Sequence, residues 1–401
     1  MTPQPLAGLR VIDFCWMIAG PLTTRLLADL GAEVIKVESL ARVDRIREVG
    51  VQPPTPNAET NGVFNDCNVN KKSITLNLGT AKGIEIAKAL IARADIVTSN
   101  FTPDRMDRWG LGYDVLRPLN PGIIVASLPV MGSVGPRAGW RAVGNGVIAL
   151  AGLNGLTGFP EREPVGLGTL HSDFTTPYVG ALAILAAIRQ RTLTGEGQFI
   201  EIAQYEASVH LLDTEVLDYT INGVVTPRRG NRSPHAVPHG VFPCAGTDMW
   251  VALAARGDDE WLALCGVLGL TELAARADLA TLAGRQAAVD AIEAAVSAAT
   301  AVRDRWEVAA ALQAAGVPAA PVEDVGDLVG SDPMADGFFE QIQHPAGVPM
   351  LLQHEPITWN GERLPIARAP FMGEHTAAIM ESLLGIGIEE VAVLVAEGVL
   401  E

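Results

Sequence analysis

Residues 9–38 read LRVIDFCWMIAGPLTTRLLADLGAEVIKVE, and this stretch decides the fold. LRVIDF is a branched, apolar run of strand length. PLTTRLLADLG predicts a helix with Pro21 at its start and Gly31 at its end, the usual asymmetry of helix termini. AEVIKVE reads as a second strand. A similar unit follows. TAKGIEIAKALIARAD predicts a helix capped by Thr80, and IVTSNF a strand. A further helix over Tyr113–Leu119 precedes the strand GIIVASL. This alternation predicts an α/β fold with a Rossmann-like parallel sheet and helices on both faces.

Further along, SDFTTPYVGALAILAAIRQR predicts a long apolar helix that starts near Thr176 and Pro177. TLTGEGQFIEIA then reads as a turn and strand, and Gln204–Tyr219 as a helix. The segment TPRRGNRSPHAVPHGVFPCAG (226–246) is dense in Gly and Pro and marks a boundary. Short Ala-rich helices dominate Asp258–Ala315 and point to a smaller α+β domain. The expected division is a large domain over 1–224, a small domain over 225–325, and a return to the large domain over 326–401. A long irregular stretch between Leu40 and Lys71, rich in Pro and Asn, is of the kind that is functional or wraps a partner.

The composition narrows the function. The chain has 401 residues, of which 48% are hydrophobic, enough for a large core. No apolar run reaches the roughly 20 residues of a membrane span. The N-terminus lacks the basic start of a signal peptide. Cys15, Cys67, Cys244 and Cys265 form no CxxC pair, so disulfides and a cysteine-built zinc site are not expected and a reducing cytoplasm fits. A net charge of −17 argues against nucleic acid as a partner but leaves room for a phosphorylated ligand met by a few local cations.

Common catalytic motifs fail. The first loop, CWMIAGP, holds one glycine, Gly20, where a nicotinamide dinucleotide site needs GxGxxG. Glu38 is placed like a ribose-binding acid, but its plainer reading is a solvated strand end. No GxSxG, HExxH or P-loop occurs. His235 and His239 stand four apart, but Pro234 and Pro238 disfavour a helix there, so no metal site is expected.

Asp173 stands just before an expected helix start. There the helix dipole and free N–H groups favour its ionised form. Such a group caps a helix, or it acts as a covalent nucleophile. On local sequence alone the cap is the simpler reading.

Several stretches together resemble the class III CoA transferases, the family of the formyl-CoA, carnitine and bile-acid CoA transferases. They are PLAGLRVIDF…AGPLTTRLLADLGAEVIKVE, NVNKKSITLNL, VTSNFTPDRMDRWGLGYDVL, NPGIIVASL, SDFTTPYVGALAILAAIRQRTLTGEGQFIEIA, GVPAAPV and RAPFMGEHT, in that order. The resemblance implies that Asp173 attacks an acyl-CoA and carries CoA as an aspartyl thioester, with no metal or permanently bound cofactor. Acyl-CoA and a free carboxylic acid would be the substrates. It implies a CoA site at Trp16, Met17, Ala19, Leu76, Asn100, Phe101, Arg108 and Arg141, and an interlocked homodimer. The cations nearest in sequence for the phosphates are Lys71, Lys72, Arg105 and Arg108.

Departures from the family's pattern shape the substrate. Ile18 replaces a glutamine of formyl-CoA transferase, Val143 and Gly144 replace a tyrosine–glutamate pair, and NRSPHAVPHG replaces a tetraglycine loop. Formate and oxalate are therefore not expected, and His235 or His239 would lie on a substrate loop. The alternatives are an α-methylacyl-CoA racemase or a non-catalytic CoA binder. The racemase needs a histidine where Asn145 stands, and Asn cannot act as a general base.

Overall fold

A computed structural model describes residues 4–48 and 58–401. Part of the irregular 40–71 stretch therefore lies outside the described residues. The described part holds short 3₁₀ turns at Leu40–Arg42 and Arg45–Arg47, then a helix, α2 (Gly62–Cys67).

Six parallel strands form one sheet: β1 (Arg10–Asp13), β2 (Glu33–Glu38), β3 (Lys72–Thr75), β4 (Ile96–Ser99), β5 (Ile124–Ser127) and β6 (Phe199–Glu201). Their order is β3-β2-β1-β4-β5-β6, the doubly wound arrangement that the alternation predicts. The direction of winding reverses between β1 and β4, which pair Val11 with Ile96 and Asp13 with Thr98.

The helices fall on both faces because strand side chains alternate. Ile12, Ile35, Val37 and Ile74 pack with Ile86 and Leu90 of α3 (Ala81–Ile91). Their neighbours Val11, Val34, Ile96 and Ile124 pack instead with Leu27 of α1 (Ala19–Asp29) and Ile184 of α8 (His171–Thr194). Between these lie α4 (Asp104–Arg108), α5 (Tyr113–Leu116), α6 (Gly144–Leu150) and α7 (Leu153–Leu156). Thr80 caps α3 as expected, accepting the Gly83 N–H at 2.9 Å.

The chain divides into two units. The first comprises Met1–Leu153, Gly166–Val224 and Asp336–Glu401. The second comprises Asn154–Val165 and Val225–Ala335. It contains an antiparallel sheet of β7 (His239–Pro243), β8 (Trp250–Ala254) and β9 (Ala319–Val322), with a core of Val251, Leu253, Trp261, Leu264, Ile292, Val296 and Leu312. The excursion 154–165 was not singled out in the sequence. The Gly230 N–H donates to the Gly158 carbonyl at 2.9 Å and ties it to the second unit. Among the described residues, no helix is long and apolar enough to cross a membrane.

Candidate active site

In open α/β sheets ligands bind outside the carboxyl ends of the strands, where the winding reverses. The loops leaving β1 and β4 meet at that point. The Asn100 side chain accepts the Trp16 N–H at 2.8 Å and donates to the Trp16 carbonyl at 2.7 Å. Trp16 meets Phe101 edge-on at 5.3 Å between centroids, and Phe101 meets Trp109 at 5.5 Å. Such aromatic pairs form firm apolar walls.

A cavity of about 490 Å³ opens here, across the carboxyl ends of β1 to β4. Trp16, Leu76, Phe101 and Arg141 line it, as the sequence reading places them. Val37, Asn77, Leu78, Trp109, Arg42 and Arg105 line it as well. A cavity lined by aromatic and apolar side chains and by three arginines suits an aromatic, phosphorylated ligand. Arg42 and Asn77 were missed: Arg42 follows the expected strand that ends at Glu38, but the strand before Asn77 was not predicted. A smaller cavity of about 170 Å³ shares Phe101, Thr102 and Arg141 with the first and extends to Asn100 and Ala142. Met17, Ala19 and Arg108 line neither cavity. Ala19 is buried at the start of α1, and Arg108 is exposed and paired with Asp104.

Two of the expected cations are committed elsewhere. Lys71 is buried, and its Nζ contacts Asp13 at 3.2 Å, the Pro21 carbonyl at 2.8 Å and Asn68 at 2.9 Å. Lys72 pairs with Glu33 at 2.6 Å. Glu38 is not a solvated strand end. It is buried, receives two Arg47 N–H bonds at 2.9 and 2.8 Å, and accepts a third from Ser73. Burial works to raise the Glu38 pKa, but Arg47 and Lys36 hold it below the usual carboxylate value.

Asp173 lies in the first turn of α8, not ahead of it. The helix begins at His171, and Pro177 sits inside it. Lacking an N–H, Pro177 gives no helical bond to the Asp173 carbonyl. The carboxylate faces the start of α6 and accepts the Gly144 backbone N–H. The approach is so close that a Cβ at position 144 would stand 2.1 Å from Asp173 Oδ2. Ser172 is buried beside it, its Oγ 3.4 Å from the Gly144 carbonyl.

The Asp173 pKa moves opposite to the sequence expectation. Burial pushes it up to about 6, and the Gly144 N–H offsets only part of that rise. A helix terminus favours the charge, but removing a carboxylate from water outweighs it here. The group is mostly ionised at neutral pH and more basic than an ordinary aspartate, which suits a nucleophile.

His235 and His239 lie in the second unit and are exposed. His239 Nδ1 contacts the Asn231 carbonyl at 2.5 Å. Within that unit it lines a cavity of about 720 Å³ with Phe159, Arg229, Arg232 and Trp250. Among the described residues, no cluster of three or more His, Cys, Asp or Glu could hold a metal ion.

Known proteins align with nearly the whole chain. The profile of CoA-transferase family III matches residues 6–376. Succinyl-CoA–D-citramalate CoA-transferase of Chloroflexus aurantiacus is 31% identical, covering 99% of this chain and 98% of that protein. Succinate–glutarate CoA-transferase of Agrobacterium fabrum is 31% identical, covering 94% and 96%. The crystal structure of a CAIB/BAIF family protein from Brucella suis superposes with a TM-score of 0.85 at 33% identity, covering 96% of this chain and 100% of that one.

Proposed function

The chain belongs to CoA-transferase family III, and from that premise we propose that Asp173 is the group on which CoA is carried between two acids. One observation carries the reading. The buried carboxyl of Asp173, with its pKa raised to about 6, sits against the backbone N–H of Gly144. Ala142, two residues before Gly144 in sequence, lines the cavity of about 170 Å³, although Asp173 itself lines neither cavity.

The Asp173 carboxylate attacks the thioester carbonyl of the donor, forming a mixed anhydride and expelling CoA thiolate. The thiolate attacks the aspartyl carbonyl, and the donor leaves as a free carboxylate. The acceptor carboxylate then attacks the aspartyl thioester, again releasing thiolate. That thiolate attacks the acceptor's carbonyl in the new anhydride, giving acyl-CoA and free Asp173. The Gly144 N–H would stabilise the oxyanion that forms at the aspartyl carbonyl. Trp16, Leu76 and Phe101 would hold the nucleotide, with Arg42, Arg105 and Arg141 near its phosphates. Relatives named for succinyl-CoA, succinate, citramalate and glutarate support succinyl-CoA as donor and a dicarboxylic acid as acceptor.

Incubation with succinyl-CoA followed by hydroxylamine should leave an aspartyl hydroxamate on the peptide containing Asp173. Peptide mass spectrometry reads the result, and an unmodified Asp173 would sink the covalent route. Turnover at low acyl-CoA should rise with pH as Asp173 loses its proton, level above about 6, and thus report the carboxylate as the active form. A pH–rate profile with no inflection in that region would point to a different nucleophile.

The working molecule is proposed to be a homodimer. Residues Asp213–Asn222 form a helix with no buried residue, although Val216, Leu217, Tyr219 and Ile221 are apolar. Ile221 alone is 75% exposed. A second copy covering this face would remove it from water. Ile221→Glu should then shift the mass measured by light scattering toward the monomer. An unchanged mass would place the dimer contact elsewhere.

A further inference from the structure

The loop after β1 turns without a glycine until Gly20. Met17 stands at φ 63°, in the left-handed region that L side chains hold only when their surroundings over-determine it. Side chains from three other segments provide that restraint. Asn100 takes both backbone polar groups of Trp16. Asp44 accepts the Met17 N–H at 3.0 Å, and Lys36 donates to the Cys15 carbonyl at 2.7 Å. Lys36 and Asp44 also bind each other at 3.1 Å, and both side chains are fully buried. Asp13, within β1 itself, accepts the Cys15 N–H at 2.9 Å. The loop also packs tightly on α1, since a Cβ at Gly20 would lie 2.5 Å from Cys15 Cβ.

A buried ion pair is weak evidence for stability, because desolvation offsets its attraction and an apolar pair often serves as well. What sets this pair apart is what its two ends hold. We propose that the Lys36–Asp44 pair positions the CoA-binding loop. It clamps the strained turn at Met17 and so fixes Trp16 as the wall of the cavity against Phe101. Neither residue lines either cavity of the first unit, so both act through the loop. The inference rests on the reading of that cavity as the CoA site.

The test starts with the wild-type enzyme, whose saturable CoA transfer establishes the activity, and with Phe101→Ala in the cavity wall, whose raised KM for acyl-CoA establishes that reading independently. The double variant Lys36→Met with Asp44→Leu removes both charges at once, leaving no lone buried ion. It should remain folded by circular dichroism, with a KM for acyl-CoA raised roughly tenfold or more and a smaller change in kcat. Adding Met17→Gly should recover much of that KM, because glycine adopts positive φ without strain. A folded double variant with wild-type KM would overturn the proposal, as would a raised KM that Met17→Gly does not improve. If the double variant does not fold, Lys36→Met with Asp44→Asn carries the same test, because it removes both charges and the Lys36 bond to Cys15 while keeping the volume at position 44. A folded enzyme carrying that second pair of changes with wild-type KM would likewise overturn it.

Discussion

Replacing Asp173 with asparagine is expected to abolish CoA transfer while making the folded protein more stable. The loss of turnover should be on the order of 10⁴-fold or more, the scale seen when a covalent nucleophile is removed. The gain in stability follows from the raised pKa. Between the ordinary value of 3.8 and about 6, folded Asp173 keeps a proton that the unfolded chain has released. Stability from this group is therefore greatest at low pH and falls as pH rises through that window. Above it the buried charge costs about 3 kcal/mol, taking roughly 1.4 kcal/mol for each pKa unit. Asparagine does not titrate, and its side-chain oxygen still accepts the Gly144 N–H. Urea melts of the two proteins should nearly coincide near pH 4 and separate toward pH 8, with the variant ahead. A variant that is less stable than wild type at pH 8 would show that the carboxylate is not held at a cost. A variant that retains turnover would remove Asp173 from the chemistry altogether.

Gly144→Ala is the second change expected to act strongly, and it adds only a methyl group. That methyl would stand 2.1 Å from Asp173 Oδ2 and 3.1 Å from Leu170 Cβ, so the carboxylate must move. Displacing a reacting atom by about 1 Å costs on the order of 10²-fold in rate. The expected result is a fall in kcat of that size with CoA affinity largely kept, because Trp16, Leu76 and Phe101 stand on other elements. Gly146→Ala is the matched control in the same helix. Its added methyl meets Ala142 Cβ at 3.4 Å, an ordinary contact, and alanine favours helix by about 1 kcal/mol. Steady-state kinetics with calorimetric CoA titration separates the two effects. Equal kcat values in the two variants would show that the close approach of Gly144 has no bearing on turnover.

Much of the fold was legible because alternating apolar runs and helix caps are local signals. The strands and helices over residues 9–38 and the Thr80 cap appear close to where their residues imply. The site was less legible. Asp173 could be singled out as a carboxylate near a helix start, but its helix begins earlier, at His171, because Pro177 is tolerated inside the helix. The direction of its pKa was misread because burial depends on packing with α6, which no local pattern reveals. Lys71 and Lys72 looked like free cations for phosphate, yet Asp13 and Glu33 engage them. Glu38 looked solvated until Arg47, beyond the end of its strand, closed over it. Gly144 stood out only as a departure from the family's pattern, not as a partner of Asp173. Its importance comes from a contact with a residue far along the chain, and glycine in a short helix reads as a mild weakness.

The order of the sheet has a further consequence for how nucleotide affinity is distributed. In a glycine-rich phosphate loop, one stretch of backbone does the binding, and a single side chain can obstruct the whole of it. Here the lining of the cavity carries three arginines, at 42, 105 and 141, on three separate segments. Each can be gained, lost or exchanged without disturbing the others. If this cavity holds CoA as proposed, affinity for it is divisible, adjustable one ion pair at a time, while the proposed nucleophile on α8 stays in place.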